Sequence, residues 1–281
     1  MTESVVLHFS QKPSAAKYMA LAFVGKRGRK DEIHAPVVNA VWSDFCPASV
    51  QPSSVRYAHP INLQASSVRL SMSILTHPKF PVPIWRILQN RNRIIQRWAL
   101  SSAAKVTMEA SLKDTRVLTK GVEFDIHVTM MSGAEIVFES INTFYAKGTF
   151  KGGQPEPVIA QPEPPLSKHA GWTISRSGVW SFARLTGDYN GIHWSNSYAK
   201  IFGFRSAFAH PHRALMSIIE HLPNVSIHSP LQLNAWFKGP VYYSRPLTLS
   251  HRKEGDTLDF ALRVEGDERP AILGSLSELR S

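Results

Sequence analysis

The sequence predicts an α+β protein built from two similar units, and three observations carry that expectation. Twice along the chain, an apolar helical pattern is followed by segments of alternating hydrophobicity. A proline-dense stretch separates the two occurrences. The length, 281 residues, suits two domains or one pseudo-symmetric pair. An apolar helix packed on a curved antiparallel sheet forms a two-layer unit, and two such units side by side hide an exposed edge by pairing their sheets.

From the N-terminus, Ala15, Tyr18, Met19, Ala22 and Phe23 lie at helical spacing between Ser14 and Val24, with Pro13 as a starter. The run Lys26-Arg27-Gly28-Arg29-Lys30 reads as a solvated basic loop. Val37 to Leu75 is irregular, rich in Pro, Ser and short apolar runs. Pro83 is placed to start a short helix through Ile84, Ile87 and Leu88. Period-two segments follow. Val106, Met108, Ala110 and Leu112 form one face, and Val122, Phe124, Ile126, Val128 and Met130 another. After a turn at Ser132-Gly133, Glu135 to Tyr145 reads as the returning strand.

Residues 151–170 hold Pro155, Pro157, Pro162, Pro164 and Pro165, and read as a linker between a unit spanning 1–150 and one spanning 171–281. The second unit repeats the plan. A helix from about Ser177 carries Val179, Phe182, Ala183 and Leu185 and is capped by Gly187. A short helix runs from about Asn196 to Phe202 and ends at Gly203. A third starts at Pro211 with Ala214, Leu215, Ile218, Ile219 and Leu222 on one face. Strand patterns then fall on Leu231–Phe237, Leu247 and Leu249, Leu258–Val264 and Ile272–Leu276.

Composition narrows the function classes. Hydrophobic residues at 43% and charged residues at 19% describe a soluble globular chain, and no stretch approaches the ~20 apolar residues of a membrane span. Met19–Val24 is too short for a signal peptide, and the single Cys46, read as a small core residue, fits a reducing compartment, so a cytoplasmic location is expected. The formal charge of +11 implies acidic partners. Nucleic acid, an anionic membrane surface, phosphorylated cofactors and acidic carrier proteins all qualify, and charge alone does not choose among them, although the aromatic-basic modules of nucleic-acid binders are missing.

One stretch concentrates reactive groups. Asp188 and His193 sit five residues apart in a loop bounded by Gly187, with Asn190 between them, and His210-Pro211 opens the apolar helix downstream. A carboxyl titrating near about 3.9 and an imidazole near about 6.5 together offer a proton acceptor and a shuttle. His210, His212, His221 and His228 bring no acidic or cysteine ligand at metal-site spacing, so no metal is expected.

The run Phe182-Ala183-Arg184-Leu185-Thr186-Gly187-Asp188-Tyr189-Asn190-Gly191-Ile192-His193, with Phe202-Gly203-Phe204 and Ala209-His210, resembles the MaoC-like acyl dehydratases, which include the R-specific enoyl-CoA hydratases. Upstream, Leu75-Thr76-His77-Pro78-Lys79-Phe80-Pro81-Val82-Pro83 and Arg91-Asn92-Arg93-Ile94 resemble the degenerate first half of double-hotdog members. The resemblance implies a double hotdog with one active site, since no second Asp/His motif precedes the linker. It implies that Asp188 and His193 grip the water added to a 2-enoyl thioester, while Gly187 and Asn190 order the loop. The implied substrate is a thioester of coenzyme A or of an acyl carrier protein, with no separate cofactor, and the implied assembly is a pseudo-dimeric monomer or a homodimer. Arg205, Lys238 and Arg245, with His210, are candidate contacts for the substrate and its phosphates.

Two departures bear on mechanism. Family members usually carry proline where this chain has Gly191, and His-Gly where it has His210-Pro211. The family's oxyanion donor is the amide of that glycine, and proline has none. The amides of His212 and Arg213, unpaired at the helix start, are the expected substitutes. The other readings are a non-catalytic protein that binds acyl thioesters, or a hotdog thioesterase.

Overall fold

In a computed structural model, residues 4–14, 17, 20, 33, 37–47, 56–157, 159–164, 167–228 and 230–279 are described. The helix expected over Ser14–Val24 and the basic loop Lys26–Lys30 lie outside these residues, apart from isolated positions. The described elements are strands β1 (Ser4–Phe9) and β2 (Val37–Phe45), helix α1 (Pro60–Leu75), and strands β3 (Ile87–Gln96), β4 (Val106–Leu118), β5 (Gly121–Ser132) and β6 (Glu135–Lys147). The second half contributes β7 (Lys168–Thr173), α2 (Val179–Thr186), α3 (Asn196–Ile201), α4 (Pro211–His221), β8 (Leu231–Phe237), β9 (Pro246–Glu254), β10 (Thr257–Val264) and β11 (Ile272–Glu278).

The strands form one sheet in the order β1-β2-β4-β5-β6-β3-β8-β11-β10-β9-β7. Its two halves meet at β3 and β8, which pair antiparallel from Arg91↔Trp236 to Gln96↔Leu231. Neither half therefore leaves an open edge at the seam. Each half curls around one central helix, α1 in the first and α4 in the second, and the two helices touch. One continuous apolar core joins the halves, from Phe45, Phe80, Phe124 and Phe138 to Ile218, Leu249 and Phe260. This is the double hotdog arrangement, an α+β fold of two paired units.

The β5 alternation is seen as expected, with Val122, Phe124, Ile126, Val128 and Met130 all buried. So is the α4 stripe, with Ala214, Leu215, Ile218 and Ile219 facing the core. The first half differs from the sequence expectation. Its central helix is α1, inside the stretch read as irregular. The helix expected after Pro83 is a single 3-10 turn, Ile84–Arg86, because the chain straightens into β3 at Ile87.

Every residue of α1 except Asn62 is buried, since the sheet wraps one side and the second half covers the other. No amphipathic stripe survives in such a position. Three of its four buried serine hydroxyls are satisfied locally: Ser66, Ser67 and Ser73 donate to the carbonyls of Leu63, Gln64 and Leu70 at 2.8, 2.7 and 2.7 Å, while the Ser71 hydroxyl has no partner among the described residues. Cys46 is half-buried, its thiol donating to the Ser102 carbonyl at 3.5 Å. Among the described residues no helix is long and apolar enough to cross a membrane.

Candidate active site

The site is set by how α2 ends. Gly187, at φ 74°, returns its N–H to the Ala183 carbonyl at 2.8 Å and turns the chain out of the helix. Two side-chain turns follow in series. The Asp188 Oδ1 accepts the Asn190 amide at 3.0 Å, and the Asn190 Oδ1 accepts the Ile192 amide at 3.3 Å. The second of these caps the 3-10 turn Gly191–His193. The end of α2 is held from the opposite half: Arg69, on α1 and only 6% exposed, donates to the carbonyls of Leu185 (3.1 Å), Pro13 (2.9 Å) and Arg184. Sequence reasoning missed Arg69, which occupies the position of a C-cap cation but comes from a distant helix.

This loop brings Asp188 and His193 together, with His193 Nε2 and Asp188 Oδ2 3.3 Å apart. His193 Nδ1 lies 3.0 Å from the Phe208 carbonyl, which can only accept, so that nitrogen carries the proton. In the neutral ring Nε2 therefore presents a lone pair to an anionic oxygen. Two acceptors this close call for a donor between or beside them, either a shared proton or a water giving one O–H to each. His193 is also pinned through its carbonyl, which accepts from the Tyr243 hydroxyl at 3.1 Å.

His210 supports the pair from below. Its Nε2 donates to the Asp188 carbonyl at 3.0 Å, and its ring stacks on His193 with centroids 3.9 Å apart and planes 25° apart. Burial and the neighbouring His193 charge push the His210 pKa down to about 3, so the ring is neutral. The Asp188 carboxyl feels opposing effects. Burial raises its pKa, but the His193 hydrogen bond and charge and the Asn190 amide outweigh it and keep the group ionised well below the usual carboxylate range.

These groups line a cavity of about 670 Å³ between the halves. Val68, Met72, Ile87 and Phe144 supply an apolar wall from the first half, while Asp188, His193, His210, Pro211 and His212 line the second. The volume and the mostly apolar lining with a few convergent polar groups are those of a small-molecule site.

The helix start behaves differently from the expectation. The Arg213 amide is bonded to the His210 carbonyl at 3.0 Å, so it is not a free donor, and Arg213 reaches away to the Ser177 carbonyl at 2.6 Å. The first turn is tight enough that His210 O accepts from both Arg213 and Ala214. His212, which lines the cavity, keeps an amide without a protein partner among the described residues.

Of the basic candidates, Lys238 borders the cavity and donates to Gln161 at 2.8 Å. Arg205 and Arg245 do not line it. Both are exposed, and Arg205 pairs with Asp267 at 3.0 Å. The fold does bring a carboxylate to the histidines, with ligand atoms of Asp188, His193 and His210 within 4.8 Å of one another, a grouping that sequence spacing concealed. Imidazole lone pairs lie in the ring plane, so the stacked His193 and His210 rings hold theirs in nearly parallel planes.

No protein-family model matches the chain. It is 26% identical over 160 residues to the 3-hydroxyacyl-thioester dehydratase X of Mycobacterium tuberculosis, and the match spans 56% of each chain, little more than half of the relative. The crystal structure of HtdX from the same organism superposes with a TM-score of 0.69 at 18% identity, covering 86% of this chain and 100% of that one. A MaoC-like dehydratase from Phytophthora capsici superposes with a TM-score of 0.68 at 13% identity, covering 90% and 98%. The fold is the one these dehydratases share.

Proposed function

We propose that the chain is an (R)-specific hydratase/dehydratase interconverting 2-enoyl and 3-hydroxyacyl thioesters of coenzyme A or an acyl carrier protein. The observation that carries the reading is the Asp188–His193 pair, a carboxylate oxygen and an imidazole nitrogen 3.3 Å apart in the lining of a mostly apolar cavity. The named dehydratase relative supports hydro-lyase chemistry in general. The (R) outcome and the enoyl hydratase type rest on the loop motif's resemblance. In this reading residues 171–281 carry the chemistry, residues 1–150 supply the wall for the acyl chain, and residues 151–170 join them.

Hydration proceeds from a water donating to Asp188 Oδ2 and His193 Nε2. As its oxygen bonds to Cβ of the enoyl thioester, one proton passes to the pair and the π electrons move toward the thioester oxygen. The His212 amide, left free at the start of α4, faces the developing negative charge. The pair returns that proton to Cα, which restores the carbonyl, leaves Asp188 and His193 as they began and completes the addition of one water. Dehydration runs the same steps backward. Neutral His210 keeps the Asp188 backbone and the His193 ring in register throughout.

Asp188→Ala tests this reading by the loss of enoyl absorbance on incubation with crotonyl-CoA. Hydration is expected to disappear with the melting transition retained; activity equal to the unaltered protein removes Asp188 from the mechanism. Pro211, which withholds the amide that the family's glycine supplies, favours a second reading, a protein that binds acyl thioesters without turning them over. Tight acyl-CoA binding with no hydration would select it.

A further inference from the structure

A buried chain of amide side chains runs from the seam between the halves to the cavity wall, and its orientation is determined at one end. On β3, Asn92 Nδ2 lies 3.2 Å from the Ile141 carbonyl and Gln89 Nε2 3.4 Å from the Arg91 carbonyl. A backbone carbonyl only accepts, so both of these atoms are nitrogens. The same two nitrogens face Asn142 Oδ1 on β6, at 3.3 and 3.1 Å, which makes that atom the oxygen. Gln64 on α1 presents its Nε2 to this oxygen at 2.5 Å. The second N–H of Gln64 is then directed at His212 Nε2, 3.4 Å away, which has to be the acceptor. Gln64, Asn92, Asn142 and His212 are 0, 2, 1 and 3% exposed, so bulk water offers no alternative partner.

The consequence for His212 follows from its two nitrogens. Burial, only partly opposed by the Asp188 charge, lowers its pKa to about 4, so the ring carries one proton. With Nε2 accepting from Gln64, that proton sits on Nδ1. Among the described residues Nδ1 has no protein partner, and the ring lines the cavity. Nδ1 is the nitrogen nearer the backbone, and His212, whose amide is also free, lines the cavity.

We infer that the His212 ring is a second oxyanion donor, presenting Nδ1–H to the thioester oxygen beside its own amide, and that Gln64 is the positioning residue that fixes this tautomer. The inference rests on the proposed hydratase reading and deepens it. A neutral imidazole is suited to the task, since it donates one hydrogen bond without bringing a charge that must be neutralised in the resting site. The first half thus supplies more than a wall: an amide on its central helix orients a donor on the other half's helix, and the donor stands where proline has removed the usual amide.

The test uses paired substitutions and a spectroscopic readout on the full chain. An asparagine side-chain amide superposes on histidine Nδ1, whereas a glutamine amide reaches the position of Nε2. His212→Asn is therefore expected to keep kcat within about tenfold of the unaltered protein, and His212→Gln to lose about 10²-fold in kcat at similar KM. Long-range 1H–15N correlation spectra of histidine-labelled protein are expected to show the Nδ1–H form for His212. Gln64→Leu is expected to release the ring to mixed tautomers and to lower kcat, with the melting temperature of each variant measured alongside. Equal loss in His212→Asn and His212→Gln, or an Nε2–H ring in the unaltered protein, overturns the donor assignment while leaving the hydratase reading intact. No hydration by the unaltered protein overturns that reading, and this inference with it.

Discussion

Replacing Gly191 by proline sets two effects of opposite sign against each other. Proline restricts the unfolded chain and, where the native backbone accepts it, stabilises by about 0.4–1 kcal/mol. The backbone here does accept it: Gly191 is not in the left-handed region, and Asn190 at φ −56°, ψ 129° meets the restriction on a residue preceding proline. The space does not. A Cβ on Gly191 would stand 2.6 Å from Tyr198 Cδ1 and 2.7 Å from its Cγ, about 0.8 Å inside ordinary contact. Cγ is the root of the ring, so relieving the clash takes a χ1 rotation that unseats the whole ring or a shift of α3. Overpacking of this kind costs about 1–3 kcal/mol, which exceeds the entropic gain. The net cost, up to about 2.6 kcal/mol, should lower the melting temperature of Gly191→Pro by up to about 10 °C, at roughly 2–4 °C per kcal/mol. In a Tyr198→Ala background the same change should be neutral or stabilising, a coupling that a double-mutant cycle in urea measures directly. A higher melting temperature for Gly191→Pro with Tyr198 present would refute the steric argument. It would leave no reason for a glycine where the family usually carries proline.

Two further expectations follow from buried groups near the loop. Arg69→Met removes the donors that hold the carbonyls at the end of α2, and should cost about 1.5–3 kcal/mol in urea denaturation while also lowering hydration activity. Unchanged stability would show that those carbonyls find other donors. His210 and His212, with pKa values near 3 and 4, stay neutral in the folded state at pH values where the unfolded chain takes up protons. Their contribution is complete above about pH 6.5 and falls as the pH drops toward 4, by about 1.4 kcal/mol per pH unit for each histidine. A urea midpoint equal at pH 7 and pH 5 would contradict this, and His212→Phe should reduce the slope.

What the sequence disclosed and what it hid have physical causes. α4 and β5 are each apolar on one side, so period alone located them, and Gly187 marked the end of α2 because only a left-handed residue turns the chain there. α1 was illegible because it is enclosed on all sides, and three of its four serines, which look like surface, spend their hydroxyls on their own helix. The Asp188–His193 pair was visible because a short loop brings its members together. Arg69, Gln64 and Asn142 act through contacts between residues 78 or more apart in sequence, and nothing in their local sequence points to the site. Arg213 was misassigned because an unpaired amide was inferred from helix geometry alone. The tight first turn gives that amide to His210.

The most direct test of the central claim is the product formed when the protein meets a trans-2-enoyl thioester in 18O-labelled water. The Asp188–His193 arrangement predicts a 3-hydroxyacyl thioester with the label at C3 and the thioester bond intact, the loop motif's resemblance predicts its (R) form, and Asp188→Ala should give none. Free acid and thiol, or unchanged enoyl thioester, would contradict it.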